Sequence, residues 1–484
     1  MLFNSLHFLV FFLFVTLSYY SLSKQGRWVL LLVASCYFYA AFIPSYLLIL
    51  GVVILIDYFA AIWIERSEGS RRRALLIISL VANVALLAFF KYFDFINQSI
   101  NSLLAPLGWQ SSVPMLGDWL PGVVLPIGLS FHTFQSMSYT IEVYRGKQPA
   151  ERNFGVYSLY VLFYPQLVAG PIERPGHMLP QLNAFHAFDW PTVRMGLLRM
   201  AGGFVKKVVI ADRLALVVDQ AYFDVDKSSG STMLLASVFY SIQIYCDFSG
   251  YSDIAIGAGQ VMGIRMTENF RTPYLAASIG DFWRRWHISL SSWFRDYIYI
   301  PLGGNRLGAT RTALNVLFVF GLSGLWHGAN WKFVIWGALH GLYLVISQFI
   351  KPSAQPLPIQ EDTSSAYQLK GIGGLVRHRI NQLLTFGLVT LTWIFFRART
   401  TDDAFTVFKK VFTLNPAVAA QTPLAPPELW LCAALIGLLL YENAWIKYVP
   451  RATTRAFWLL MPLLALACYF LGVFTSNQFI YFQF

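Results

Sequence analysis

Long uncharged runs alternate with short basic segments along most of this chain, and many of the runs have the length that crosses a bilayer. Phe8–Ser23 is the first. Trp28–Ile56 is too long for one ordinary span and holds Pro44 followed by Ser45, so it reads as two helices meeting at a turn. Ala74–Phe90, Phe154–Ile172, Ser228–Cys246, Thr312–Trp326 and Ile380–Phe396 follow, and Ala456–Phe484 contains no charged side chain. Trp119–Ile141 is interrupted only by His132, and Phe333–Ile350 only by His340. The pattern predicts an all-α polytopic integral membrane protein with roughly eleven to thirteen transmembrane helices.

The charged residues between the runs set an orientation. Lys24 and Arg27 follow the first run, which lacks the basic start and small-residue cleavage site of a signal peptide. Arg66, Arg71, Arg72 and Arg73 come next on the same predicted inner side. Asp94–Pro121, predicted outer, contains no Lys or Arg, and Arg145, Lys147 and Arg152 return to the inside. This alternation puts the loop after the first run in the cytoplasm and the N-terminus on the outer side of the membrane.

Composition sharpens the class. Of the 484 residues, 56% are hydrophobic and 12% charged, about half the charge of a soluble domain. That excludes a disordered chain, a disulfide scaffold and an ordinary cytosolic enzyme. The net charge of +12 sits in the loops, so it reads as membrane topology and not as nucleic-acid binding. Cys36, Cys246, Cys432 and Cys468 lie in apolar stretches without metal-ligand spacing.

Two stretches break the pattern. Glu173–Asp226 and Gly263–Arg311 are too polar to span and too aromatic for solvated loops. The second carries seven arginines interleaved with Trp283, Trp286 and Trp293. Read as one helix, it puts Trp283, Trp286, Leu290 and Trp293 near one face and Arg284, Ser291 and Arg295 towards the others. That is a re-entrant or interfacial helix. Lys351–Arg379 reads as a connecting loop.

The chemistry centres on histidines in membrane-grade sequence, because an ionisable group at that depth marks a cavity or a function. They are His132, His327 and His340, with His287 in the Arg/Trp stretch. His327 lies in Gly321-Leu-Ser-Gly-Leu-Trp-His-Gly-Ala-Asn-Trp331, where Gly324 and Gly328 admit a close neighbour, Trp326 and Trp331 wall the site and Asn330 is placed to orient the imidazole. Each of these histidines also has a plainer reading, as a core residue satisfied by an interhelical hydrogen bond. Asp247 and Asp253 are proton-pathway candidates in a transporter, or simply partners of nearby arginines. No phosphate loop, zinc signature or nucleophile elbow is present, and no metal site is expected.

The runs Asp281-Phe-Trp-Arg-Arg-Trp-His-Ile-Ser-Leu-Ser-Ser-Trp-Phe-Arg-Asp-Tyr-Ile-Tyr-Ile-Pro-Leu-Gly-Gly304 and Gly324-Leu-Trp-His-Gly-Ala-Asn-Trp331 resemble the membrane-bound O-acyltransferase (MBOAT) family, in its bacterial alginate O-acetyltransferase-like branch. Gly170-Pro-Ile-Glu-Arg-Pro175, Cys246–Asp253, Trp336–Gly341 and the terminal Phe479–Phe484 support the likeness. The resemblance implies a single MBOAT domain over 1–484, with N-terminal helices in 1–153, a catalytic core in 154–350 and a loop and C-terminal helices in 351–484. It implies helices around a central tunnel, with His327 and His287 catalytic. Tunnel and substrate candidates are Asn330, Trp326, Trp331, Arg284, Arg285, Ser291, Arg295, Asp247 and His340.

The implied activity moves acetyl groups from a cytoplasmic thioester, acetyl-CoA, to a hydroxyl on the periplasmic side, with no permanently bound cofactor. The expected result is O-acetylation of an exported polysaccharide such as alginate or cellulose, with a periplasmic SGNH-type acetyltransferase or a polysaccharide synthesis complex as partner. His327 would take the acceptor's proton, and His287, Asn330 or a backbone N–H would stabilise the oxyanion. The alternatives are D-alanyl transfer to teichoic acid from a carrier protein and, in a different class, a transporter or flippase without covalent chemistry.

Overall fold

The computed structural model describes residues 1–108, 113–119, 126–350, 371–415, 417–474 and 479. Among them every regular element is helical. The chain divides into two compact units, Met1–Leu197 with Ile254–Thr267, and Leu198–Asp253 with Glu268–Phe484. The terminal hexapeptide beyond Phe479 and the segment 351–370 lie outside the described residues.

The first unit begins with α1 (Leu6–Ser21), α2 (Lys24–Ala40), α3 (Tyr46–Arg66), α4 (Gly69–Leu87) and α5 (Phe93–Leu104). Ser5 starts α1 by accepting the Phe8 N–H on its hydroxyl at 3.1 Å, an ordinary N-cap. The break between α2 and α3 falls at Pro44, as its missing N–H requires. After a short turn α6 (Leu116–Trp119) come α7 (Leu129–Tyr144), α8 (Phe154–Leu162), α9 (Pro175–Leu182) and the start of α10 (Trp190–Phe204). Between α3, α4 and α7 lies a buried carboxylate, Asp57. It accepts from the Ser79 hydroxyl at 2.7 Å and from the Asn83 amide at 3.0 and 2.9 Å, bonds that offset the cost of removing it from water.

The run Phe154–Ile172 does not form one span. Helix α8 ends at Leu162 and turns follow, because Pro165 cannot continue the ladder and biases the residue before it away from helix. The Gly170–Pro175 motif has a structural part here. The fully buried Glu173 accepts from the Thr267 hydroxyl at 3.0 Å and meets His177 Nδ1 at 2.9 Å. It thereby fastens the chain around Thr267 to α9.

The second unit holds the end of α10, α11 (Asp212–Phe223), most of α12 (Gly230–Val261), α13 (Ile279–Arg285), α14 (Ile288–Phe294), α15 (Ala309–His327), α16 (Trp331–Ile350), α17 (Gly371–Arg397), α18 (Thr401–Phe412), α19 (Pro426–Leu439), α20 (Glu442–Tyr448) and α21 (Thr454–Leu471). Helices α15 and α16 form a tight hairpin because glycines remove the side chains between them. A Cβ on Gly324 would lie 2.1 Å from the Phe333 carbonyl oxygen, and one on Gly337 would lie 2.1 Å from that of Phe320. The close neighbour expected at Gly324 and Gly328 is thus α16, since a Cβ on Gly328 would meet the Phe333 ring.

Charges inside this unit are paired. Lys206 bonds Asp253 at 2.7 Å and also Glu442, while Arg199 bonds Asp253 at 3.0 Å and Glu268 at 2.6 Å. Lys207 joins Asp212 at 2.8 Å and Asp247 at 2.6 Å. Both lysines stand on a wide π-helical turn, Val205–Ala211. Removing one partner of such a buried pair leaves an uncompensated charge and is strongly destabilising.

This is a multi-pass membrane protein. Among the described residues Tyr46–Arg66, Gly69–Leu107, Ile372–Arg397 and Thr454–Leu471 are each long and apolar enough to cross a membrane alone. The pair Pro426–Leu439 and Glu442–Arg451, bent by 54°, makes a fifth candidate. The sequence count of eleven to thirteen also took in runs that fall on shorter helices, such as α1 and α7, or on helices such as α12 that carry ion-paired carboxylates. No helix within Glu173–Asp226 or Gly263–Arg311 is among the candidate spans.

Candidate active site

The Arg/Trp stretch is not one helix. It breaks at Trp286 and His287 into α13 and α14, and His287 adopts φ 43°, a left-handed conformation that among described non-glycine residues only Thr272 shares. Such a backbone costs about 1–3 kcal/mol and persists where surrounding bonds over-determine it. Those bonds come from Asn269 and Arg271. The Ile288 N–H donates to the Asn269 carbonyl at 2.9 Å, and the Arg271 N–H to the Arg285 carbonyl at 2.9 Å. The Asn269 side-chain oxygen lies 3.1 Å from His287 Nδ1. The His287 ring is fully buried and stacks edge-on against Phe248 at 4.7 Å. Burial pushes its imidazole down to about 3, so it is neutral at physiological pH.

His327 closes α15 and is 6% exposed. Its ring meets Trp326 at 5.0 Å, Trp336 at 5.0 Å and Phe396 at 5.3 Å. The Trp326 ring also lies 6.4 Å from that of His287. One indole therefore contacts both imidazoles, which are 40 residues apart in the sequence. The surroundings are aromatic and buried, the kind of environment that excludes competing water.

A pocket opens between α13, α14, α15, α16 and the π-helical turn Arg295–Tyr299. Its wall is mostly apolar, from Trp283, Leu290, Phe294, Val316, Val319, Phe320 and Leu344, with Arg284, Ser291, Arg295, Tyr299 and Ser323 as the polar groups. Ser323 lies about one helical turn before His327. Arg284 reaches Asp281 at 3.3 Å and Arg295 reaches Asp296 at 2.6 Å, so each arginine carries an anionic neighbour as well as a pocket surface.

Other candidates take different places. Arg285 pairs with Asp281 at 3.0 Å and is absent from the pocket wall. Trp331 is 55% exposed. Asn330 spends its side-chain oxygen on the Lys332 N–H at 3.1 Å, capping α16. His340 is packed instead of lining open space. Its Nδ1 accepts from the Trp283 indole at 3.3 Å, and its Nε2 lies 2.9 Å from the Thr392 hydroxyl, whose own proton goes to the Val389 carbonyl. Asp247 and Asp253 belong to the ion pairs described above, which is the plainer of the two readings they allowed. His132 is buried in the first unit, its Nδ1 3.2 Å from the Val161 carbonyl. Among the described residues no group of three or more His, Cys, Asp or Glu is placed to hold a metal ion.

Asn269 is the residue that sequence reasoning missed. It stands in irregular backbone 18 positions before His287, with no periodicity or motif to mark it.

Residues 124–383 match the family model of the membrane-bound O-acyltransferases, and that stretch contains both histidines and the pocket. The chain belongs to the MBOAT family and is an O-acyltransferase. It is 40% identical over 420 residues to the probable alginate O-acetylase AlgI of Pseudomonas aeruginosa, covering 86% of this chain and 75% of that protein. It is 36% identical to the peptidoglycan O-acetyltransferase of Helicobacter pylori, over 80% of this chain and 73% of the other. The teichoic acid D-alanyltransferase of Bacillus subtilis is 28% identical, over 46% and 59% respectively.

Proposed function

We propose that this chain is a membrane O-acetyltransferase that takes acetyl groups from a cytoplasmic thioester, acetyl-CoA, and delivers them to a hydroxyl on the periplasmic side for O-acetylation of an exported polysaccharide. The observation that carries this is the placement of His287 and His327 on one indole, Trp326, in a buried aromatic site. The more extensive matches to O-acetylating relatives favour acetyl over D-alanyl transfer. The pairing of Asp247 and Asp253 with lysine and arginine removes the main support for a transporter.

In the proposed reaction the acceptor hydroxyl attacks the thioester carbonyl. Its proton passes to His327, a C–O bond forms and the C–S bond breaks. The departing thiolate takes up the proton from the imidazolium, which returns His327 to its starting state. Imidazole suits this because its basicity lies near neutral pH. Arg284 and Arg295 hold the anionic part of the donor at the mouth of an apolar pocket that takes its uncharged portion. The core of the activity is assigned to 154–350, in the inner membrane with the N-terminus periplasmic. A periplasmic SGNH-type acetyltransferase is the proposed partner that receives the acyl group.

The test is made in cells. A strain carrying His327→Ala, with the protein present in the membrane at the wild-type level, is expected to export polysaccharide without O-acetyl esters. Unchanged ester content would overturn the assignment of His327. Acetyl label found on the glycan but on no periplasmic protein would remove the partner and leave direct transfer.

A further inference from the structure

The side chain of Asn269 is oriented without ambiguity. The atom facing His287 accepts from the Ser289 backbone N–H at 3.3 Å and from the Ser289 hydroxyl at 2.9 Å, while the other amide atom donates to the Ser252 hydroxyl at 3.3 Å. A backbone N–H only donates, so the atom it meets is the amide oxygen. That oxygen lies 3.1 Å from His287 Nδ1. An amide oxygen has no proton to give, and the bond therefore requires the proton to be on Nδ1. In a neutral imidazole, a proton on Nδ1 leaves Nε2 as the acceptor.

The backbone holds the two groups in register. The Ile288 N–H donates to the Asn269 carbonyl and the Arg271 N–H to the Arg285 carbonyl, so the segment carrying Asn269 is tied to the chain on either side of His287. The left-handed turn at His287 puts the imidazole where this amide can reach it.

We propose that Asn269 is a positioning residue that fixes His287 in the Nδ1-protonated tautomer, so that Nε2 of His287 receives a proton or a hydrogen bond during acyl transfer. The use of that nitrogen in catalysis rests on the function proposed above; the tautomer does not. Neutral His287 then offers no N–H at Nε2 to an oxyanion. Of the three oxyanion donors considered from the sequence, His287 drops out. Stabilisation of the oxyanion falls to other donors.

The experiment uses full-length protein in lipid nanodiscs with ring-¹⁵N-labelled histidine. The His287 signals are identified by their loss in His287→Phe. The wild-type spectrum is expected to show a protonated Nδ1 and an unprotonated Nε2 for His287. Asn269→Asp, which keeps an acceptor oxygen against Nδ1, is expected to retain this tautomer. Asn269→Leu is expected to lose the tautomer preference and to lower kcat by about 10–100-fold with KM for acetyl-CoA unchanged. If Asn269→Leu does not fold, the wild type and Asn269→Asp decide alone. A protonated Nε2 in the wild type, loss of the tautomer in Asn269→Asp or an unaltered tautomer in folded Asn269→Leu overturns the role of Asn269. The expected tautomer in a protein that transfers no acyl group would leave Asn269 in place and overturn the proposed function.

Discussion

Gly337 of α16 approaches Gly324 of α15 so closely that a β-carbon on Gly337 would stand 3.1 Å from the Gly324 amide nitrogen. The α15–α16 hairpin depends on this contact, and His327 is the last residue of α15. Gly337→Ala is therefore expected to cost about 1–3 kcal/mol through overpacking and to displace His327. A lower Tm together with reduced acyl transfer would show it. Gly321→Ala, where the new methyl group meets nothing within 4 Å, is the control and leaves both unchanged or slightly raises Tm.

The two pocket arginines make a separate prediction. Arg284→Ala and Arg295→Ala each raise KM for acetyl-CoA by about tenfold, equivalent to about 1.4 kcal/mol, with little change in kcat. Arg285→Ala, whose side chain pairs with Asp281 away from the pocket wall, leaves KM in place. Steady-state kinetics at two ionic strengths check this, because added salt narrows the difference between wild type and the pocket variants. Equal effects from all three arginines would remove the pocket as the donor site.

Glu173 and His177 predict a pH dependence of stability in the first unit. The hydrogen bond to the buried Glu173 carboxylate raises the pKa of His177 above its ordinary value. Folding then favours the protonated imidazole. The contribution is present in full below about pH 6.5, where a free histidine titrates, and is lost as pH rises through the raised value. The Tm of wild type is expected to exceed that of His177→Gln at the acidic end of a series and to converge on it at the alkaline end. A gap that stays constant or widens with pH would contradict the linkage.

Much of this arrangement was legible along the chain, for physical reasons that differ from place to place. Pro44 marks a helix break because it lacks an N–H, and the structure breaks there. Gly324 and Gly328 announced a close approach, and α16 makes it. The break at His287 was not legible, since Arg284-Arg-Trp-His-Ile-Ser289 holds no Pro or Gly and reads as helix; the left-handed turn is imposed by bonds to Asn269 and Arg271 from another part of the chain. Asn330 sits just ahead of a new apolar run, which is the position of a helix cap, and capping α16 is what it does. His340 resembled a site residue only because a histidine in an apolar run always does. Its two ring partners, Trp283 and Thr392, are 57 and 52 residues away.

Cleavage of radiolabelled acetyl-CoA by purified protein in nanodiscs, wild type beside His327→Ala, tests the assignment most directly, with a soluble glycan extract supplied as acceptor. Wild type is expected to release CoA and transfer label. Folded His327→Ala is expected to be slower by a factor of about 10²–10⁴, the range for loss of a general base. Equal rates for the two proteins would contradict the catalytic role of His327 and with it the reaction proposed for this site.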